Sequence, residues 1–478
     1  MDRRLPADLE LAVEQIKRYV PIIAPYYADP TPLGEYSDGL RHRPRHQVHV
    51  HRQEQLARAA RRVAAATFGT DAPVVEAADL TAVNIVDHHQ LLNHPLLLGT
   101  NVIANAARLL NGDVTRPIVT LSCSNVPPSN YYLRNGFRFR GRRVTYFSHS
   151  EYRDVIYHAP SRTFDFVSRL RRGGRSAEFT PADRDFLVHY EEVLNKLGPG
   201  DRDRHRDQIA MALRATWPML FRQPVPELLY LNAEEVTRNL LIELLAGDDH
   251  IVATLLDPVL RADVLDTFRG VVVAWDEATG TGTHFFWRRH PDHRQLLRMY
   301  VDGDRLVPHD PRFAEWSVPL RRQALMDHLR CDDLIPAVSL QVSMLLYAGV
   351  RPLVGPGSLV YFRRFADGWV RLLNRHGLDE EAALVADVDT GGLIAGTPLF
   401  FDRAEDGVRT LYATDVLGNG GVDTTYLRTV LSTPLRDVLT VGAGGVYDLF
   451  ANSYIPPDER LDVRVGFDEA ATAVHRWI

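Results

Sequence analysis

VNIVDHHQLLNHPLLLGTNVIANAARLL, residues 83–110, passes from an extended apolar run through a polar turn into a helix. The run Ala82–Val86 has the length of a buried strand, and Asp87-His88-His89-Gln90 turns the chain. Leu96–Leu110 then keeps helical spacing up to the stop signal Asn111-Gly112. A second buried-strand run, Ile118–Cys123, follows, and after it the loop Ser124-Asn125-Val126-Pro127-Pro128. Strand, loop, helix, strand is the order of a βαβ unit, whose two strands run parallel. The expected fold class is α/β.

Outward from this unit the pattern changes. Residues 8–25 carry apolar side chains at helical spacing, a polar, His-rich stretch runs from Pro30 to His51, and Gln53–Phe68 reads as a second helix ended by Gly69. Phe137–Phe147 alternates apolar and polar residues about Gly141, which predicts an antiparallel hairpin. Helical runs are expected near 181–197, 203–216, 233–246 and 251–268, with Leu228–Leu231 as a strand and Asn232 as a helix cap. GVVVAWD, GTHFFWRR and LLRMYVDGDRLV, within 270–307, read as a three-stranded antiparallel β-meander, and helix returns at 311–329. Residues 332–362 are the least polar segment, and strands from about 335 to 420 are expected to complete the core. The resulting division is an N-terminal helical segment at 1–75, a first half of the core at 76–232, a helical and β-meander insertion at 233–330, and core completion with a C-terminal segment at 331–478.

With 478 residues, 45% of them hydrophobic and 24% charged, the chain can bury at least one large core. A formal net charge of −6 supplies no global basic field, which disfavours coating nucleic acid. Of 55 basic side chains only Lys17 and Lys196 are lysines, and neither sits in a Walker A or a pocket-like context. P-loop chemistry and a pyridoxal phosphate (PLP) Schiff base are therefore not expected. Two cysteines, Cys123 and Cys331, make no disulfide framework and suit a reducing compartment. No apolar leader follows the N-terminus, and no apolar stretch reaches the ~20 residues of a membrane span. A cytoplasmic location is expected.

Chemistry is expected where parallel strands end, because helix N-termini there offer free N–H groups to anions. After the first strand, Asp87, His88, His89, Gln90, Asn93 and His94 crowd one turn, more polar groups than a helix cap uses. Imidazoles titrate near neutrality, so His89 and His94 are the expected catalytic proton carriers or anion stabilisers. His88, Gln90 and Asn93 are the expected substrate contacts. The competing reading makes the histidines caps of the Leu96–Leu110 helix; the catalytic one expects a partly solvated turn. After the second strand, Ser122, Ser124 and Asn125 are expected to hold polar substrate groups, with Cys123 lining the pocket rather than attacking substrate. Gly355-Pro356-Gly357-Ser358 follows an apolar run, and its glycines permit close backbone approach to a ligand. Between Arg41 and Arg52, His49 and His51 would share a face on a strand and suggest zinc, but the four arginines 41, 43, 45 and 52 oppose a cation. No metal is expected.

The strand leading into His89-Gln90-Leu91-Leu92-Asn93-His94-Pro95 and a helix resembles the first nucleotide-fold loop of the cysteine-adding enzymes of bacillithiol biosynthesis. That family carries a later Gly-Pro-Gly-acid-x-x-Tyr motif, here Gly355-Pro356-Gly357-Ser358-Leu359-Val360-Tyr361, and the order of meander, helix and motif is similar. The likeness covers about residues 80–130 and 270–375. It implies a Rossmann-like parallel sheet core with helical insertions and a bound adenine nucleotide (ATP or ADP). It also implies an activity joining cysteine through an amide bond to the amine of a sugar conjugate. By the same likeness Tyr361 joins the substrate contacts, and Gly355, Gly357 and Ser358 lie at the cofactor. Two positions depart: the acid of the motif is Ser358, and Ser122–Ser129 replaces an acidic, His-containing segment. A different amino acid or acceptor is thereby admitted.

The expected function is an amide-forming C–N ligase that condenses an amino acid, cysteine among the choices, with a small amine or acid in natural-product biosynthesis. Its partners are small molecules, with neither nucleic acid nor membrane, and a homodimer is left open. The enzyme alternative is a metal-dependent hydrolase using His49, His51 and one of His88, His89 or His94. The non-enzyme alternative is an inactive homologue acting as a scaffold.

Overall fold

The computed structural model describes residues 5–41, 45–92, 94–126, 136–146, 154–196, 204–291, 296–404 and 407–475. Five short strands form one sheet: β1 (Ala82–Asn84), β2 (Ile118–Ser122), β3 (Leu228–Asn232), β4 (Arg351–Val354) and β5 (Gly392–Leu393). All neighbours are parallel, in the order β5-β4-β1-β2-β3. Strands β2 and β3 are buried at every residue, as parallel strands covered on both faces must be. The order runs outward from β1 in both directions, which is compatible with a Rossmann-like core and puts a topological switch point between β1 and β4.

Five helices matter for what lies at that point: α1 (Gln47–Phe68), α2 (Pro95–Asn111), α3 (Ala233–Leu245), α4 (Val338–Tyr347) and α5 (Pro356–Arg375). Helix α2 starts with a proline at its first position, where a missing N–H costs nothing, and ends at Gly112 in the left-handed region. Helix α3 follows β3 without a loop, because the Asn232 side chain accepts from the Glu235 N–H and caps it. The hairpin Gly136–Phe139/Arg142–Thr145 turns at Arg140-Gly141.

A second, antiparallel sheet has five strands rather than the three of the expected meander. Its order is Val318–Pro319, Arg305–Pro308, Leu297–Asp302, Phe286–Arg288, Leu334–Pro336. Both outer strands were expected elsewhere, one inside the helix at 311–329 and one in the parallel core. Each carries a proline, which an edge strand tolerates because one N–H row faces away from the ladder. The GVVV of residues 270–273 is not a strand. Val273 has φ +67°, and only Trp275–Asp276 pairs, with Thr281–Gly282 in a separate hairpin. The N-terminal helix stops at Tyr19, before Pro21, and α1 begins at Gln47, six residues earlier than its apolar pattern. His49 and His51 therefore lie on a helix. His49 is buried and His51 exposed, so the shared face of a strand does not form.

Candidate functional site

Past β1 the chain keeps pairing with β2. The Cys123 N–H donates to the Asp87 carbonyl at 3.0 Å, and the His89 N–H donates to the Cys123 carbonyl at 2.7 Å. The Asp87 carboxylate is buried and accepts from Asn84 Nδ2 (3.0 Å), Thr100 Oγ1 (3.0 Å), Asn101 Nδ2 (2.9 Å) and the Tyr230 hydroxyl. Burial raises its pKa, while these donors pull the other way. This knot ties β1, α2 and β3 together.

His89 is 1% exposed, and both ring nitrogens are engaged: Nδ1 with Ser122 Oγ and Nε2 with the Arg206 carbonyl, each at 2.7 Å. Burial lowers its pKa to about 4. His94 is the N-cap of α2, its Nδ1 accepting from the Leu96 N–H at 3.3 Å, and its ring meets Tyr412 edge-on. Burial, with help from Arg138, lowers its pKa to about 3. Both histidines are thus buried, where the catalytic reading expects partial solvation, although His88 and Gln90 of the same turn keep partial exposure. Asp87, His89 and His94 serve this turn structurally, because buried backbone needs partners and the helix needs a cap.

The loop after β2 is organised by Glu234, a residue that no motif of the sequence marks. Its buried carboxylate accepts from the Ser124 N–H (2.9 Å), the Asn125 N–H (3.0 Å), Ser124 Oγ (3.1 Å) and Cys123 Sγ (3.3 Å). The Cys123 thiol also bonds Asn125 Oδ1 at 2.8 Å. Burial and the adjacent Glu234 push the thiol well above its ordinary pKa, which disfavours the thiolate.

A cavity of about 390 Å³ lies at the carboxyl ends of β1, β2 and β4. Val86 and His88 reach it from the loop after β1; Cys123, Asn125 and Val126 from the loop after β2; Ser358, Tyr361 and Phe362 from the start of α5. Val236 and Thr237 of α3, with Val338, Gln341, Val342 and Leu345 of α4, close further sides. A β-carbon at Gly355 would lie 3.5 Å from Val86, so the loops after β1 and β4 touch. The wall is mostly apolar. Its described residues include no aspartate, glutamate, arginine or lysine. Burial lowers the pKa of His88 to about 4 and raises that of Tyr361 to about 12, the latter partly offset by a hydrogen bond with Ser358.

Of the expected site residues, His88, Asn125, Ser358 and Tyr361 line this cavity. Ser122 and Ser124 are buried one layer behind it, bonded to His89 and Glu234, and the described lining includes neither His89 nor His94. Gln90 is half-buried beside the turn, and Asn93 lies outside the described residues. Gly355 caps α5 with φ −87°, and neither it nor Gly357 is in the described wall. The α4 side chains were missed as lining; their only signal was the low polarity of residues 332–362. Among the described residues no group of three His, Cys, Asp or Glu could hold a metal ion. Compared with known proteins, the chain matches no family model and no curated sequence.

Proposed function

We propose that this chain is a small-molecule enzyme of the ligase type, forming an amide bond between an amino acid and a small acceptor. The observation that carries the reading is the cavity at the switch point of the parallel sheet, where loops distant in sequence meet. The order of motifs shared with the cysteine-adding enzymes supplies the reaction class. His88, neutral above about pH 4, and the protonated Tyr361 and Cys123 offer uncharged hydrogen-bonding groups to an amine or carboxyl within an apolar wall. Such a wall suits an apolar side chain or acyl group. It does not fit a nucleotide's phosphates, since no cationic side chain is in its described lining, so an adenine nucleotide enters no step here. The cavity's volume supports ligand binding over a purely scaffolding role.

The test is to incubate purified protein with cysteine or other amino acids and an amine-bearing sugar conjugate, with and without ATP. Mass spectrometry then seeks a product equal to the two substrates minus water. Ser358→Phe, which fills the cavity from the start of α5, is expected to abolish product and any ligand-induced rise in Tm. A product undiminished in a folded Ser358→Phe protein, or no Tm shift with any substrate, counts against the reading.

A further inference from the structure

A second cavity, of about 550 Å³, is walled by charge. Behind its wall the Arg206 guanidinium, 1% exposed, lies over the Tyr157 ring at 3.9 Å and donates to the Tyr157 carbonyl and to Glu235. Arg238 and the Tyr157 hydroxyl both donate to Oδ1 of Asp332. The inner carboxylates are thus already supplied with donors. Burial alone would raise the Asp332 pKa, yet Arg238, Arg206 and the tyrosine hydroxyl hold it below its ordinary value.

Two more arginines stand at the rim. Arg204 approaches Asp332 Oδ2 at 3.5 Å and Glu235 at 3.6 Å, and Arg289 approaches the same Oδ2 at 3.7 Å, where Arg206 also lies at 3.7 Å. Three guanidiniums converge on one carboxylate oxygen at distances too long for strong hydrogen bonds. Neither rim side chain makes a side-chain hydrogen bond among the described residues, and each is 42% exposed. Their backbones are anchored all the same: the strand bridge Pro160↔Arg204 holds one, and the Arg289 N–H donates to the Asp333 carbonyl at 2.9 Å. In the described wall Arg204, Arg238 and Arg289 balance Asp207, Glu235 and Asp332, and the buried Arg206 adds a fourth guanidinium against the same carboxylates.

We propose that this pocket binds a small oxyanion, the carboxylate or phosphate group of a ligand, between Arg204 and Arg289. A guanidinium presents a planar fork of N–H donors matched to such oxygens, and a partly desolvated wall strengthens each charge-assisted bond. The proposal is independent of the ligase reading, which concerns the other cavity.

Calorimetric titration at constant ionic strength tests it, with inorganic phosphate in one arm and malate in the other. Saturable binding of at least one anion is expected, weakened about tenfold or more in Arg204→Gln/Arg289→Gln and unchanged in the exposed control Arg363→Gln. Tighter phosphate binding assigns a phosphorylated ligand, and tighter malate binding a carboxylate. An unchanged Tm establishes that the double variant is folded, as its half-exposed side chains lead one to expect. Equal affinity in the folded double variant, or no saturation by either anion in the parent protein, overturns the proposal.

Discussion

At the scale of single residues, two neighbouring histidines are held by different physics. His89 loses two buried hydrogen bonds when truncated, leaving Ser122 Oγ and the Arg206 carbonyl short of a partner, so His89→Ala is expected to cost about 2–4 kcal/mol. His94→Ala removes a cap and should cost about 0.5–2 kcal/mol. Urea denaturation of both variants measures the difference. The pH dependence carries a sign. A folded-state pKa near 4 against an ordinary 6.5 favours protonation of the unfolded chain, so this stabilisation is complete above pH 6.5 and is lost as pH falls toward 4. About 3 kcal/mol of the margin between parent and His89→Gln should disappear over that window. A margin constant with pH would show that the ring is not held neutral.

At the scale of elements, the turn after α4 sets the position of α1. Gly349 follows that helix with φ +64°, and a β-carbon there would collide with the ring of His49. Gly377, after α5, has φ +71° but faces open space. Gly377→Ala should cost about 1 kcal/mol for the backbone alone, whereas Gly349→Ala should cost about 3 kcal/mol or more because the clash adds to it. Comparable denaturation midpoints for the two would contradict this packing of α1 on α4. The same contact accounts for His49, which is a packing residue in a helix rather than a zinc ligand paired with His51. Short elements were the least legible. Two- and three-residue strands such as Val318–Pro319 and Leu334–Pro336 are too brief for a period to show, and their prolines argue against a strand unless the edge position is known.

At the scale of the whole molecule, the basic charge is carried almost entirely by arginine. Lys17 pairs with its helical neighbour Glu14, and Lys196 is an exposed helix end. Replacing both by arginine yields a lysine-free protein, with each exchange expected within about 0.5 kcal/mol of neutral. Chemical denaturation and an activity or anion-binding assay on this variant check it. A loss of function in the folded variant would reveal a lysine role that neither cavity suggests. The two cavities themselves share α3: Val236 and Thr237 face the apolar one, Glu235 and Arg238 the charged one. One helix thus presents opposite chemistries on two sides, as a spacing of a few residues on a helix allows.

Local pattern alone determined the βαβ start, the stop of α2 at Gly112, the Asn232 cap and the hairpin about Gly141, since each depends on residues a few positions apart. It also marked three of the loops around the apolar cavity, because the ends of buried strands are legible as the ends of apolar runs. Tertiary structure decided the rest. Whether His89 is a proton carrier or a tie depends on the Arg206 carbonyl, 117 positions away. Glu234 becomes an anchor only because β3 pairs with β2, and the rim arginines 204 and 289 meet only over Asp332. Burial and charge convergence arise between segments that the chain brings together on folding, and no short-range period records them.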